Sequence, residues 1–493
     1  MARLKDLELM IQSRYPVIAI TTVEEDRLEK ALEDIADDLK VPFWVWSLTA
    51  GLKRPGNLNS VYDTQEPLKA LNNIAAMPDE GVYLLKDIHR FLEKPEIVRK
   101  LQDLGPAFAM DRRVMVLCAS HAELPPALHS IAAAYTLELP SVEELKALAT
   151  RVLKSLSRER PVKVELTPED FGRLVERLKG FTAFEAERAI TKAIMADHGL
   201  TKADFELIID LKKQLLQKDG VLEYIAPEEN LAEVGGFKNL KAWLAKRTRA
   251  FAPEAAQFGI TFPRGLLLLG VQGCGKTLAA RAIAREWGLP LLKMETGRLY
   301  DKYIGESEKN LEKALRTAEH MAPCVLMIDE LEKALSYGGG GDGDSGLSKR
   351  VFGRILGWLQ DRKAPVFVVA TCNDITSLPP ELTRKGRFDE IFFIDLPGRE
   401  ERQEIFAVHL AKRKRTARLF DLAALAAASE GFSGAEIEQA VVSALLTAFS
   451  RGGELTSTII AEELRATKPL SVTRREDIDR LRAWAADRTV SAS

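Results

Sequence analysis

Apolar residues along this chain alternate between two spacings, and the alternation runs twice from end to end. The stretches 17–21 (VIAIT), 82–85 (VYLL), 114–119 (VMVLCA) and 136–139 (TLEL) are short and apolar or β-branched. Between them, 24–39 and 96–108 place apolar residues at i, i+3 and i+4 among charges. Short buried strands separated by amphipathic helices predict a parallel sheet covered on both faces. From 142 to 216 strand-like runs thin out and Leu, Ala, Lys and Glu recur at helical spacing, which predicts a helical subdomain. A second α/β block is expected between about Gly235 and Pro397, with strands at 265–269, 291–294, 324–328, 366–370 and 391–394, and 400–470 returns to the helical pattern.

The order α/β, helical, α/β, helical suggests a duplication. Four echoes in sequence order support it. Pro42 with FWVWSLTAGL parallels Pro290 with LLKMETGRL, and YLLKD at 83–87 parallels LMID ending at Asp329. VMVLCAS at 114–120 parallels VFVVATC at 366–372, and LELPSVEE at 137–144 parallels IDLPGREE at 394–401. The offsets between matched pieces drift from 248 to 242, 252 and 257, as loop insertions would make them drift. The expected fold class is therefore α/β, with two P-loop-type parallel-sheet domains, the first degenerate, each followed by a helical subdomain. The expected boundaries are 1–140, 141–230, 231–397 and 398–493, the last holding a lid and a C-terminal tail.

Composition acts mainly by exclusion. With 493 residues, 46% hydrophobic and 29% charged, the chain is too long for one core and far from the disordered class. A formal net charge of -2 leaves no global field to gather nucleic acid or an anionic membrane. Basic clusters at 99–100 and 412–415 read as solvated faces, so nucleic acid is a possible partner that nothing indicates. Cys118, Cys274, Cys324 and Cys372 form no CxxC pair and read as buried hydrophobes in a reduced compartment. No apolar run has membrane-spanning length and the first residues, MARLKDLELMIQSRYP, hold no signal-type apolar core, so a cytoplasmic protein without a membrane partner is expected.

One segment carries the chemistry. In GVQGCGKT, 270–277, glycines allow a tight turn whose N–H groups face phosphates. Lys276 adds a point charge to the same oxygens, and the Thr277 hydroxyl suits magnesium. The turn follows the apolar strand 265–269 and opens a helix, whose positive end favours an anion there. The nucleotide-contacting stretch is thus expected to be Gly270, Val271, Gln272, Gly273, Cys274, Gly275, Lys276, Thr277 and Leu278. CVLMIDE, 324–330, ends a strand in Asp329, placed for the metal, and Glu330, placed to polarise a water. Asn373, in ATCND, follows another strand and is expected to hold that water or sense the γ-phosphate. Arg384 and Arg387 stand three residues apart in ELTRKGRFDE, with the fork that grips phosphate oxygens. The first block has no such loop, and Lys86–Asp87 stands where the second has Asp329–Glu330, so it is expected to have lost hydrolysis and nucleotide binding.

From about Leu231 to Phe449 these residues resemble the AAA+ ATPases, in the subgroup with paired arginine fingers. The P-loop and the 326–330 run resemble Walker A and Walker B, Asn373 resembles sensor 1, and Arg384 with Arg387 match the fingers. The resemblance implies nucleotide contacts at Gly235 of VGG, at His409 of RQEIFAVHL, and at Gly434 and Ala435 of GFSGAEIEQA. A sensor 2 arginine is absent from that last motif. DKYIGESEKNL, 301–311, resembles the pore loop, with Lys302, Tyr303 and Ile304 facing a substrate, while the glycine-rich 336–348 departs from the pattern. A degenerate block before an active one resembles the uncharacterised AAA proteins of a conserved cyanobacterial and chloroplast reading frame, also found in other bacteria.

The resemblance implies a cofactor pair of ATP and Mg2+ in a ring of identical subunits, most simply a hexamer, with hydrolysis coupled to remodelling of a protein partner. The competing expectation is an ATP-switched scaffold that binds a protein or nucleic acid through its degenerate first half.

Overall fold

The computed structural model describes residues 2–493 apart from 58, 78–79, 121–123, 160, 198, 226–233, 252, 300–305, 334–344, 375–378 and 385. The chain divides into two compact units, 1–205 and 206–493.

In the first unit, β1 (Val17–Thr21), β2 (Phe43–Ser47), β3 (Gly51–Lys53), β4 (Gly81–Lys86), β5 (Arg113–Ala119) and β6 (Ala132–Thr136) form a sheet in the order β3-β2-β4-β5-β1-β6. All pairs are parallel except β2 with β3. Alternate residues of each strand feed opposite cores, as the pleat requires. Val17, Met115 and Leu117 pack with Leu71, Leu101 and Phe108 on one face, while Ile18, Ile20, Val114 and Val116 pack with Leu7, Leu28 and Leu32 on the other. Helices Val142–Glu159, Pro168–Arg177 and Ala183–Asp197 follow, with β7 (Lys163–Val164) and β8 (Gly199–Leu200) paired beside them.

In the second unit, β9 (Leu222–Ile225), β10 (Gly265–Gly270), β11 (Leu291–Met294), β12 (Cys324–Ile328), β13 (Val366–Cys372), β14 (Glu390–Ile394) and β15 (Val490–Ser491) lie in the order β15-β14-β10-β13-β12-β11-β9. Only β9 runs antiparallel. Continuous apolar runs in β10, β12 and β13 are buried on both sides, the signature of central parallel strands. Helices Arg399–Lys412, Leu422–Ala428, Gly434–Ser450 and Ser457–Ala466 enclose a separate small core around Phe406, Phe432 and Ile437. The chain then returns. Helix Arg475–Ala485 buries Ile478 and Leu481 in the main core, and Arg482 grips Asp395 with bonds of 2.8–3.0 Å.

The same five-strand order, β6-β1-β5-β4-β2 and β14-β10-β13-β12-β11, recurs in the two units. The ladders also sharpen the alignment. Thr21 faces Ala119 as Leu269 faces Cys372, and Phe43 faces Val82 as Leu291 faces Val325. Asp87, directly after β4, and Glu330, two residues after β12, share a left-handed backbone, φ 56° and 52°. Lys86 therefore corresponds to Asp329 and Asp87 to Glu330, so the echoes at 83–87 and 114–120 shift by one residue from the offsets expected above. The strand expected at 136–139 lies at Ala132–Thr136 instead. Its AAAYT sequence lacks the β-branched run of a buried strand, because β6 is a half-exposed edge.

A fifth echo escaped the sequence reading. GFTAFEAERA at 180–189 and GFSGAEIEQA at 431–440 both place a left-handed glycine before a capping box. Thr182 with Glu185, and Ser433 with Glu436, exchange the paired bonds that open helices Ala183–Asp197 and Gly434–Ser450.

Phe367 of β13 is fully buried and meets Trp287 edge-on, ring centroids 4.6 Å apart. We expect Phe367→Ala to destabilise the second unit by about 3–5 kcal/mol. A lower midpoint of chemical denaturation for that unit is the readout.

Candidate nucleotide-binding site

The tips of β10, β12 and β13 converge on one edge of the sheet, where ligands bind in doubly wound folds. Gly270 ends β10, and a Cβ there would lie 2.0 Å from the carbonyl oxygen of Ile394. The turn continues through Gly273 and Gly275, whose φ values of 75° and 86° disfavour any side chain, and releases the chain into helix Lys276–Glu286. The unpaired N–H groups of that first helical turn face the cleft.

Lys276 is buried, and its Nζ donates to the carbonyls of Gly270 and Val271, each at 2.8 Å. Burial holds its pKa below the ordinary lysine value, an effect that the carboxylates of Glu332 and Asp329 partly offset. The ammonium is thus held at the phosphate loop by acceptors that an anionic ligand can replace. Burial also pushes the Cys274 thiol up to about 12 and raises that of Cys372, so both stay protonated. All four cysteines are buried and free.

Thr277 Oγ1 lies 3.3 and 3.5 Å from the two carboxylate oxygens of Asp329. A hydroxyl and a single carboxylate are the small donor set that magnesium takes beside phosphate oxygens and water. Thr371, which the sequence reading missed, sits between the acidic residues. Its hydroxyl donates to Asp329 Oδ1 at 2.6 Å and accepts the N–H of Glu330 at 2.9 Å. Buried Glu332 was missed as well; its Oε1 accepts the N–H of Asn373 at 3.0 Å, tying that strand tip to the turn after β12. The Glu330 carboxylate forms an ion pair with Lys333.

Across the cleft, the helical subdomain closes the wall. Ala435 donates its N–H to the carbonyl of Gly273 at 3.0 Å, and Gly236 donates to Glu404 at 2.7 Å. His409 stands 3.5 Å from Glu438, and burial keeps it below the ordinary value of 6.5 against the pull of that carboxylate. The chain's last residues brace the 235–237 turn from behind. Phe237 donates to Ser493 Oγ, and Asn239 and Leu240 donate to the carbonyl of Ala492, at 3.1–3.2 Å.

The result is a cleft of about 520 Å³ lined by residues from both walls. Gly235, Gln272, Gly273, Cys274, Gly275, Lys276, Thr277, Leu278, Asp329, Glu330, Asn373, His409, Gly434 and Ala435 all border it, while Gly270 and Val271 contribute the carbonyls that hold Lys276. Val234, Phe237, Ile405 and Val408 add an apolar side suited to a flat base. Arg384 and Arg387 do not border it. Arg384 is exposed, and Nη1 of Arg387 is buried without a hydrogen-bond partner among the described residues. Lys302, Tyr303 and Ile304 lie outside the described residues, as does most of the glycine-rich 336–348.

Comparison with known proteins agrees with this geometry. Residues 266–396 match the ATPase family associated with various cellular activities (AAA), and 420–463 match the AAA+ lid domain. Residues 3–137 and 143–219 match the N-terminal and second domains of SpoVK-like AAA ATPases. The chain is 38% identical to the uncharacterized AAA domain-containing protein ycf46 of Pyropia yezoensis, over 98% of this chain and 97% of that one. It is 37% identical to the ycf46 protein of Trieres chinensis, with 98% and 96% covered, and 38% identical to that of Guillardia theta, with 99% and 95% covered. With a phosphate loop, a lid and an AAA-like first half in one continuous match, the chain belongs to the AAA ATPase family, alongside the ycf46 AAA proteins.

Proposed function

We propose that this protein hydrolyses ATP with magnesium in a ring of identical subunits, a hexamer in the simplest closure, and couples the cycle to remodelling of a protein partner. The observation that carries hydrolysis is the bonded row Thr277, Asp329, Thr371 beside buried Lys276, a metal-oriented carboxylate next to a phosphate-directed ammonium. Bound magnesium would neutralise charge on the β- and γ-phosphate oxygens. Lys276 exchanges its two carbonyl acceptors for phosphate oxygens, and the helix N-terminus adds its N–H groups. Glu330 leaves Lys333 and accepts a proton from the attacking water, which Asn373 helps to position.

Among the described residues no arginine borders the cleft, and Arg384 and Arg387 act instead on the nucleotide of an adjoining copy. Loss of the γ-phosphate then removes the arginines' ligand and loosens the subunit interface. The remodelling step rests on the sequence pair Tyr303–Ile304. A cytoplasmic setting accords with four free thiols; among the described residues no helix is long and apolar enough to cross a membrane.

Glu330→Gln is expected to bind ATP and assemble normally while turnover falls by about two orders of magnitude or more, within the range of general-base loss. Normal single-turnover hydrolysis by this variant would remove Glu330 as the base. Thr371→Val keeps the strand shape and deletes both hydroxyl bonds. Its kcat is expected to fall about 10- to 100-fold with nucleotide affinity retained, since hydrogen bonds to charged groups contribute about 1.5–3 kcal/mol. Equal losses in binding and kcat would instead indicate a collapsed pocket. Finally, mixing inactive Arg387→Ala subunits with inactive Lys276→Ala subunits should restore part of the ATPase rate. No recovery at any ratio would place the arginines' action within one chain.

A further inference from the structure

The strand registers locate the first unit's counterpart of the cleft residue by residue, and the charges there are reversed. Between β1 and helix Glu25–Leu39 the connection is only 22–24, Thr-Val-Glu, where the second unit has 271–275 between β10 and its helix. It has no glycine to make the phosphate turn and no lysine. The helix that follows opens instead on Glu25 and Asp26, so the chain's own carboxylates meet its positive end.

Glu24 is the central group. Its side chain is 4% exposed, and Oε1 accepts the N–H of Ala183 at 2.6 Å. Ala183 is the first residue of the helix opened by the GFT motif and corresponds to Gly434, which borders the nucleotide cleft in the second unit. Arg27 holds the other oxygen, Oε2, at 2.7 Å and reaches both oxygens of Glu144 at 3.0 Å. Lys86 occupies the place of Asp329, the residue oriented toward magnesium. Its ammonium pairs with Glu29 at 2.7 Å and Glu25 at 3.7 Å.

We infer that the first unit's nucleotide site is filled by the chain itself, with Glu24 standing where a phosphate would lie and the Lys86 ammonium standing in for the metal. The Glu24 carboxylate ties the strand–helix turn to the N-terminus of helix Ala183–Asp197, with Arg27 bridging to Glu144 of helix Val142–Glu159. What ATP would hold together only while bound, these side chains hold permanently. The helices of the first unit are therefore fixed against their sheet in every nucleotide state, and a phosphate could enter only against the carboxylates of Glu24, Glu25 and Asp26. This assignment does not depend on hydrolysis at the second site.

Two measurements on the full-length protein test it. Photolabelling with an azido-ATP, followed by peptide mapping, is expected to mark peptides of 206–493 alone. Label in peptides covering 17–40 or 180–190 would overturn the inference. In hydrogen exchange, amides 183–186 are expected to exchange at the same rate with and without ATP. Glu24→Ala should speed the Ala183 amide about tenfold or more, with Glu24→Gln intermediate because it keeps an acceptor but loses the charge. ATP-dependent protection of 183–186 in the unaltered protein, or an unchanged rate in Glu24→Ala, would sink the proposal. Should Glu24→Ala fail to fold, Ala183→Pro removes only the donor at a first helical position that tolerates proline. It should accelerate exchange of 184–186, and unchanged protection there would equally count against the latch.

Discussion

The parallel register of β10, β13 and β12 is the constraint on which the site depends. Leu269 faces Cys372 and Ile328 faces Ala370, so the chain leaves all three strands at one edge. Gly270, Asp329 and Thr371 through Asn373 meet there without any long-range search by loops. A slip of one residue in β13 would turn Thr371 to the opposite face, because strand side chains alternate. Asp329 would then lose its hydroxyl partner and the Glu330 N–H its acceptor. Complete burial of the three strands makes that slip costly, since each apolar side chain would have to repack. The geometry of this edge is thus held by hydrophobic packing in the body of the sheet.

The same register in the first unit carries a different chemistry, which shows how little of the fold is owed to the nucleotide. β5 is buried throughout and β1 and β4 up to their last residues, much as β10, β12 and β13 are, and the five-strand order is preserved. Without phosphate or metal, the strand-tip edge still needs its helix termini satisfied and its charges balanced. Glu24, Arg27, Lys86 and Glu144 meet both needs with buried or half-buried pairs. Such pairs cost desolvation and are favourable only when well bonded. Here each carboxylate oxygen of Glu24 has a partner within 2.7 Å.

How much of this was legible in the sequence follows from the range over which each signal acts. The phosphate turn was readable because its demands are local: glycines at 273 and 275, a lysine and a hydroxyl in adjacent positions, and a helix directly after. The central strands were readable because burial on both faces leaves an unbroken apolar run. Thr371 was not, since in VFVVATC a threonine is an ordinary β-branched strand residue. Only its bonds to Asp329 and Glu330, just past β12, set it apart. Glu332 and the returning helix Arg475–Ala485 were hidden in the same way, their partners lying on other strands or far along the chain. β6 was displaced because alanines on a half-exposed edge carry almost no strand signal.

The GFT motif differs from these cases, because it could have been found by comparing the two halves directly. Thr182 and Glu185 repeat the box of Ser433 and Glu436, and Gly180 repeats the left-handed Gly431. Retention of that box in a unit without a phosphate loop has a physical reason. A capping box satisfies helix N–H groups whatever lies beyond them, and the next donor, Ala183 N–H, still requires an acceptor. In the second unit that end of the helix faces the nucleotide cleft; in the first, Glu24 reaches it from the shortened turn. The shortened turn and the buried carboxylate are therefore one structural change. Deleting the phosphate loop would strand a helix terminus, and a glutamate at position 24 supplies the acceptor that it lacks.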